Sequence, residues 1–350
     1  MSVPAAEPMH RAARTEDALN RALARLLFRR GWRPRVIPYA GYGTQSWARV
    51  LGRVLLSPPG VGQRDDVAVR GWRHFVSAKL GGVPVTVDVG GRSQVVESAR
   101  GGYIDLVVEA DLEPGWVTAE LRIADGVVAE APIRVVGAQE RIGVISDIDD
   151  TVLVTALPRP FLAFWNTFVR HEESRRPVPG MAELYRTLTR HDPDAFVVYL
   201  STGAWNLAPA LQRFLRRRGF PDGPLLLTDW GPTPDGWFRS GQDHKRRTLR
   251  RLLDELPQLR WVLVGDDGQH DPALYEELAW ARPEHIRLVA IRELGVTEQV
   301  LTHGTPTPLP GQRVPLSATS TMPWVQAPSG HGLVELLRER GITEDDTLRP

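Results

Sequence analysis

The sequence predicts an α/β fold built on a parallel sheet and preceded by a β-sandwich-like unit, and three observations predict it. Apolar runs without alternation recur between stretches of helical periodicity: Ile142–Ser146, Phe196–Leu200, Leu225–Thr228, Trp261–Val264 and Ile286–Ile291. Strands that are apolar throughout are buried on both faces, as in a parallel sheet covered by helices. Upstream, from about 35 to 139, short runs alternate in period two and are broken by Gly and Pro, the pattern of strands with one buried face. Acidic and hydroxyl residues directly follow several of the apolar runs, where open α/β sheets hold their ligands.

Composition narrows the class. A chain of 350 residues is about two domains at roughly 150 residues each. Hydrophobic residues make up 42% and charged residues 24%, which excludes a largely disordered chain. No apolar stretch approaches the ~20 residues of a bilayer span, and the beginning of the sequence has no signal-peptide core. Cysteine is absent, which excludes disulfides and thiolate chemistry and fits a reducing, cytoplasmic compartment. The formal net charge of +1 provides no general field for nucleic acid, so no nucleic-acid partner is expected. Of the 43 basic residues only Lys79 and Lys245 are lysines, which makes each lysine an unusual choice.

The elements follow in order. Residues 1–34 hold an amphipathic helix from about 15 to 31, with Thr15 as N-cap, Leu19, Leu23, Leu26 and Leu27 at helical spacing, and Gly31 as stop. Its arginines form a solvated face or, in the second reading, face a peripheral membrane surface. Residues 35–139 form the β-sandwich-like domain, with strands at Val83–Val89, Tyr103–Glu109, Trp116–Ile123 and Ala131–Val136 and no catalytic constellation; an interaction module is expected. Residues 140–295 form the catalytic domain, its helices over Gly180–His191, Asn206–Arg218, His244–Leu256 and Pro272–Ala281. Residues 296–350 read as a Pro-rich linker and a short helix, Gly332–Arg340.

The chemistry sits at three strand ends and one helix start. Ile142–Ser146 runs into Asp147-Ile148-Asp149-Asp150-Thr151, Phe196–Leu200 ends at Ser201-Thr202-Gly203, a helix opens on His244-Lys245, and Trp261–Val264 ends at Gly265-Asp266-Asp267 with Asp271 close behind. Carboxylates from two strand ends in one crevice need a cation. Oxygen ligands suit Mg²⁺. A lysine and a serine hydroxyl suit phosphate oxygens, an aspartate is a competent nucleophile toward phosphorus, and a second carboxyl can move the proton. No P-loop, GxGxxG, GxSxG or zinc-spaced histidine pair occurs.

This ordered set resembles the haloacid dehalogenase superfamily of phosphohydrolases: Asp147, Asp149 and Thr151 match its DxDx[TV] motif, Ser201 its second, Lys245 its third, and Asp266 with Asp271 its GDxxxxD motif. The stretches SDIDDTVLVT (146–155), YLSTGAWNL (199–207) and VGDDGQHDPALY (264–275) are similar, more narrowly, to the actin-patch-protein family of Mg²⁺-dependent phosphatidate phosphatases. This chain carries Gly203-Ala204 where the fungal enzymes have Ser-Pro before the tryptophan. The resemblance implies a Rossmann-like haloacid-dehalogenase-type sheet. It implies Asp147 as nucleophile and Mg²⁺ ligand, and Asp149 as general acid and base with its carbonyl on the metal. Ser201, Thr202 and Lys245 would hold the phosphoryl group and Asp266 the Mg²⁺, with Thr151, Asp267 and Asp271 behind them.

Only about 45 residues separate Thr151 from Phe196, and about 45 separate Ser201 from Lys245, so neither gap holds a large cap domain. An open site favours a bulky phosphomonoester. The expectation is a lipid phosphate such as phosphatidate; the alternatives are a nucleic-acid end, a phosphoprotein or a catalytically weak scaffold. The apolar, aromatic segment Leu157–His171 is expected either to pack as core or to form a membrane-facing lip beside the site.

Overall fold

The computed structural model describes residues 20, 22–58, 79–124, 126–154, 176–192, 194–228, 240–268, 271–295, 298 and 322–342. The segment 157–171 and the helix start near Thr15 lie outside these residues.

Among the described residues seven strands form one mixed sheet: β1 (Arg33–Thr44), β2 (Trp47–Ser57), β3 (Pro84–Val89), β4 (Arg92–Glu97), β5 (Tyr103–Glu109), β6 (Gly115–Arg122) and β7 (Val128–Val136). Their order is β4-β3-β6-β7-β1-β2-β5, antiparallel except for the parallel pair β1 and β7. The edge strands β4 and β5 come back together, so the sheet nearly closes on itself. This corrects the expected sandwich of two sheets. Period-two alternation shows that each strand has one buried face, but two stacked sheets and one curled sheet bury that face equally well. The interior is a cluster of aliphatic residues including Val50, Val85, Val87, Ala119, Leu121, Ala131 and Ile133. The alternating burial of β3 and β6 follows the pleat. A helical run over 22–29 packs Ala24 and Leu27 on Leu56 of β2, while Leu23, Leu26 and Phe28 stay exposed.

Among the described residues the second sheet has six parallel strands: β8 (Ile142–Asp147), β9 (Phe196–Ala204), β10 (Leu225–Thr228), β11 (Arg260–Asp266), β12 (Ile286–Arg292) and β13 (Trp324–Ala327). All five expected apolar runs are strands, and β13 is a sixth. The order is β10-β9-β8-β11-β12-β13, so the chain starts in the middle, winds outward one way, and returns to wind the other. The strand order reverses between β8 and β11, and a crevice opens there at the carboxyl ends. Helices α1 (Met181–Leu188), α2 (Ala208–Arg217), α3 (Ser240–Glu255), α4 (Asp271–Ala281) and α5 (Gly330–Glu339) accompany the sheet. Helix α1 presents Met181, Leu184, Tyr185 and Leu188 inward at spacings of three and four. Gly143 of β8 allows Trp261 to lie across the strand: a Cβ there would meet the indole at 2.5 Å.

The carboxyl end of the chain is more integrated than its composition suggests. Strand β13 extends the sheet beside β12, and α5 packs on α1. Trp324–Ala327 is only four residues long, too short for a periodic signal.

Candidate active site

The first strand end delivers two carboxylates by a tight turn. All six residues of β8 are buried and the strand ends at Asp147. The amides of Val152 and Leu153 both donate to the Ile148 carbonyl, and the Asp150 amide donates to the Leu153 carbonyl. Asp150 takes a left-handed conformation, φ 56°, which Asp tolerates better than most side chains. This loop places Asp147, Asp149 and Thr151 in the crevice, each almost fully buried.

The other elements converge on it. β9 and β11 flank β8 in parallel, so Ser201 and Asp266 arrive at the same edge as Asp147. Helix α3 brings Lys245 and the first residue of α4 brings Asp271. Lys245 Nζ lies 2.6 Å from Asp147 Oδ1 and 2.7 Å from Asp271 Oδ1. Ser201 Oγ donates to Asp149 Oδ2 at 2.8 Å and accepts from the Gly203 amide at 2.9 Å. The Gly268 amide donates to Asp266 Oδ1 at 2.7 Å. The Thr151 hydroxyl lies between Asp147 and Asp266, at 3.5 and 3.4 Å. Asp267 faces the other way, accepting from the Leu294 amide at 2.8 Å, and so steadies the loop after β11.

Charge is the outstanding feature. Carboxylate oxygens of Asp147, Asp266 and Asp271 lie within 4.8 Å of one another, all three residues buried. Lys245 is the one cationic side chain that touches them among the described residues. Burial pushes Asp147 well above the usual carboxylate range; Lys245 pulls it down, and Asp271 and Asp149 push it further up. Burial does the same to Asp266, with Asp271 and Asp147 adding to it. Burial raises Asp149 to about 6, against the hydrogen bond from Ser201. For Lys245 burial acts downward, but Asp147 and Asp271 outweigh it and hold the ammonium above the ordinary lysine range. Asp149 Oδ1 and Asp271 Oδ2 are buried without a hydrogen-bond partner among the described residues. Three converging carboxylates, orphaned oxygens and one compensating ammonium fit a divalent cation with oxygen ligands.

All nine residues singled out by sequence thus lie at the carboxyl edge of the parallel sheet or on the helices beside it; α3 begins at Ser240, four residues before the expected opening at His244, so Lys245 sits in its second turn. Asp271, expected behind the metal ligands, is itself in the acidic cluster. The Asp149 carboxylate is outside that cluster and faces Ser201. Sequence reasoning missed Arg292, whose guanidinium donates to the Asp150 carbonyl at 2.7 Å and pairs with Glu298 at 2.7 Å. Its only sequence signal is a charge closing a largely apolar run that also contains Arg287. It also missed Tyr185, whose hydroxyl pairs with Ser146 beneath Asp147.

Residues 142–293 match the family described as the phosphatidate phosphatase APP1, catalytic domain. The phosphatidate phosphatase APP1 of Saccharomyces cerevisiae is 26% identical over 245 residues, 66% of this chain and 41% of that protein. An uncharacterized protein of Schizosaccharomyces pombe is 27% identical over 210 residues, 58% of this chain and 34% of that one. The chain therefore spans less than half the length of these two curated relatives. A solved Photobacterium 2,6-sialyltransferase gives a TM-score of 0.24 at 10% identity over 88% of this chain and 55% of its own, too slight a likeness to carry an argument.

Proposed function

We propose, from the match of residues 142–293 to the family of the phosphatidate phosphatase APP1 catalytic domain, that this chain is a Mg²⁺-dependent phosphomonoesterase that converts phosphatidate, or a related lipid phosphate, to diacylglycerol and phosphate. The observation that carries the proposal is the junction of Asp147, Lys245, Asp266 and Asp271 at the carboxyl edge of the sheet, three buried carboxylates around one ammonium; in this reading they serve as nucleophile, phosphate-binding cation and divalent-cation cradle. The fold reading that goes with it is a haloacid-dehalogenase-type sheet over 140–295. The proposed division of the rest of the chain is 1–34, 35–139 and 296–350, with the described strands β1 to β7 spanning Arg33 to Val136.

Asp147 Oδ attacks phosphorus and the ester P–O bond breaks, leaving an aspartyl-phosphate. Asp149 gives its proton to the departing alkoxide. A raised carboxyl suits that donation, and burial supplies the rise. Asp149 then takes a proton from water, which attacks phosphorus, frees phosphate and returns Asp147 as a carboxylate. Ser201, Thr202 and Lys245 hold the phosphoryl oxygens. Lys245 acts as a compact point charge, a task a broad guanidinium fills poorly. Asp147, Asp266 and the Asp149 carbonyl would hold Mg²⁺, which when bound would supply charge stabilisation to the transferring group. Thr151, Asp267 and Asp271 fix these groups in place.

No helix among the described residues is long and apolar enough to cross a membrane. A cytoplasmic protein that meets lipid at a peripheral surface is the reading that fits a lipid substrate. The test is a substrate panel with Mg²⁺: phosphatidate in mixed micelles, soluble phosphomonoesters and 3′-phosphorylated oligonucleotides. Phosphatidate is expected to lead. Soluble esters ahead by tenfold would overturn the lipid assignment, and no turnover on any of them would overturn the phosphatase.

A further inference from the structure

The amino-terminal sheet touches the catalytic unit at one functionally pointed place. Strand β9 carries Ser201-Thr202-Gly203-Ala204 and passes without slack into a 3-10 turn, Trp205–Leu207. In its pairing with β10, Leu200 faces Leu226 and Ala204 faces Thr228. Four steps on β9 thus oppose two on β10, so Ser201–Gly203 bulges out of the ladder. A bulged segment lacks the regular ladder bonds that fix a strand, so its position depends on how its two ends are held. The near end is held within the catalytic unit, by Ser201 on Asp149 and by Thr228 Oγ1 donating to the Thr202 carbonyl at 2.6 Å.

The far end is held by the other sheet. Tyr39 of β1 stacks on Trp205, ring centroids 4.5 Å apart at 29°. Arg53 of β2 is 1% exposed, and its guanidinium donates to Asn206 Oδ1 at 2.7 Å. That arginine is itself fixed: its Nε donates to the Gly101 carbonyl at 3.0 Å, and it lies over the Tyr103 ring at 4.3 Å. A buried arginine held at several points is a rigid donor, because little rotamer freedom is left for it to lose.

We propose that the amino-terminal sheet is a working part of the phosphate site, with Arg53, Tyr39 and Asn206 as positioning residues that clamp the far end of the Ser201–Gly203 bulge. The clamp rests on the reading of Ser201 and Thr202 as phosphate-binding groups and gives the curled sheet a role that no motif in it announces. Asn206 sits five residues from Ser201, so release of its side chain frees the bulge at one end while leaving Asp147, Lys245 and Asp266 untouched. Ser201 and Thr202 would meet the phosphoryl group both when it binds and when it transfers. A loosened bulge therefore weakens both steps.

The test compares Asn206→Ala with Asn206→Asp, which keeps an acceptor for Arg53, and uses Tyr39→Leu as a second way of loosening the clamp. Two readouts are taken on the full chain: backbone hydrogen exchange of Thr202–Trp205, and inhibition by inorganic phosphate together with kcat/KM on the best substrate of the panel. Asn206→Ala and Tyr39→Leu are expected to speed exchange in that segment by about tenfold, weaken phosphate inhibition and lower kcat/KM by a similar factor. Asn206→Asp is expected to stay within about twofold of the parent. A merely structural contact would lower the melting temperature yet leave local exchange and the phosphate inhibition constant of the folded protein unchanged, and that result overturns the proposal. If the parent chain turns over no phosphomonoester, the proposed activity fails. The exchange comparison then still decides the clamp.

Discussion

Asp266→Asn is expected to stabilise the metal-free protein while weakening its hold on a divalent cation. Two unit charges within 4.8 Å of each other repel by at least about 3.5 kcal/mol at an effective dielectric of about 20. Asp266 faces two such neighbours, Asp147 and Asp271, and the Lys245 ammonium offsets roughly one of them. The substitution keeps an oxygen for the Gly268 amide and gives the Thr151 hydroxyl a donor. Its net gain is therefore about 3 kcal/mol, or about 6–12 °C in melting temperature for a domain of this size. The assay is thermal and urea unfolding in EDTA at pH 8 and pH 5. The Asp266 carboxyl is raised in the fold, so the stability tied to its protonated form is complete below the unfolded-state value and is lost as pH rises. The gain is thus largest at pH 8 and shrinks at pH 5. With saturating Mg²⁺ the order reverses, because a ligand stabilises the form that binds it in proportion to its affinity. A variant less stable than the parent in EDTA at pH 8, and equally responsive to Mg²⁺, would refute the picture of a repulsive cradle.

Asp147→Asn is expected to abolish turnover while leaving circular dichroism and hydrodynamic radius unchanged; substantial residual turnover refutes the nucleophile. His244, beside Lys245, is held down to about 4 by burial, with Arg251, Arg247 and Lys245 adding to it. A depressed histidine lends stability above its unfolded value near 6.5 and loses it as pH falls through 4, at most about 3 kcal/mol and less because part of the ring meets solvent. His244→Phe should therefore flatten the urea midpoint between pH 6.5 and 4 relative to the parent, and parallel profiles would show that the ring is not held neutral. Gly143→Ala drives a methyl to 2.5 Å from the Trp261 indole and should cost about 1–3 kcal/mol, read as a lower urea midpoint with unchanged slope. An unchanged midpoint would mean that the ring has room to move.

The site was legible in the sequence because its parts are local. Each is a short polar string attached to an apolar run or a helix start, and β8, β9 and β11 each mark themselves by continuous burial. The parallel sheet was legible for the same reason. Strands β1, β2 and β4 escaped notice: β1 and β2 bury most of their residues without alternation and carry charges, and β4 is exposed almost throughout. Neither pattern resembles a half-buried strand.

The amino-acid order by itself determined which side chains stand at each strand end: carboxylates, hydroxyls and, on the helix beside them, one lysine. Chain-distant relations were decided only in three dimensions. Asp271 shares one small volume with Asp147 and Asp266, the seven upstream strands curl into a single sheet, and an arginine at position 53 reaches an asparagine at position 206. Periodicity reports the environment of a residue and not the identity of its neighbour, and long-range contacts are fixed by packing that no window of sequence contains.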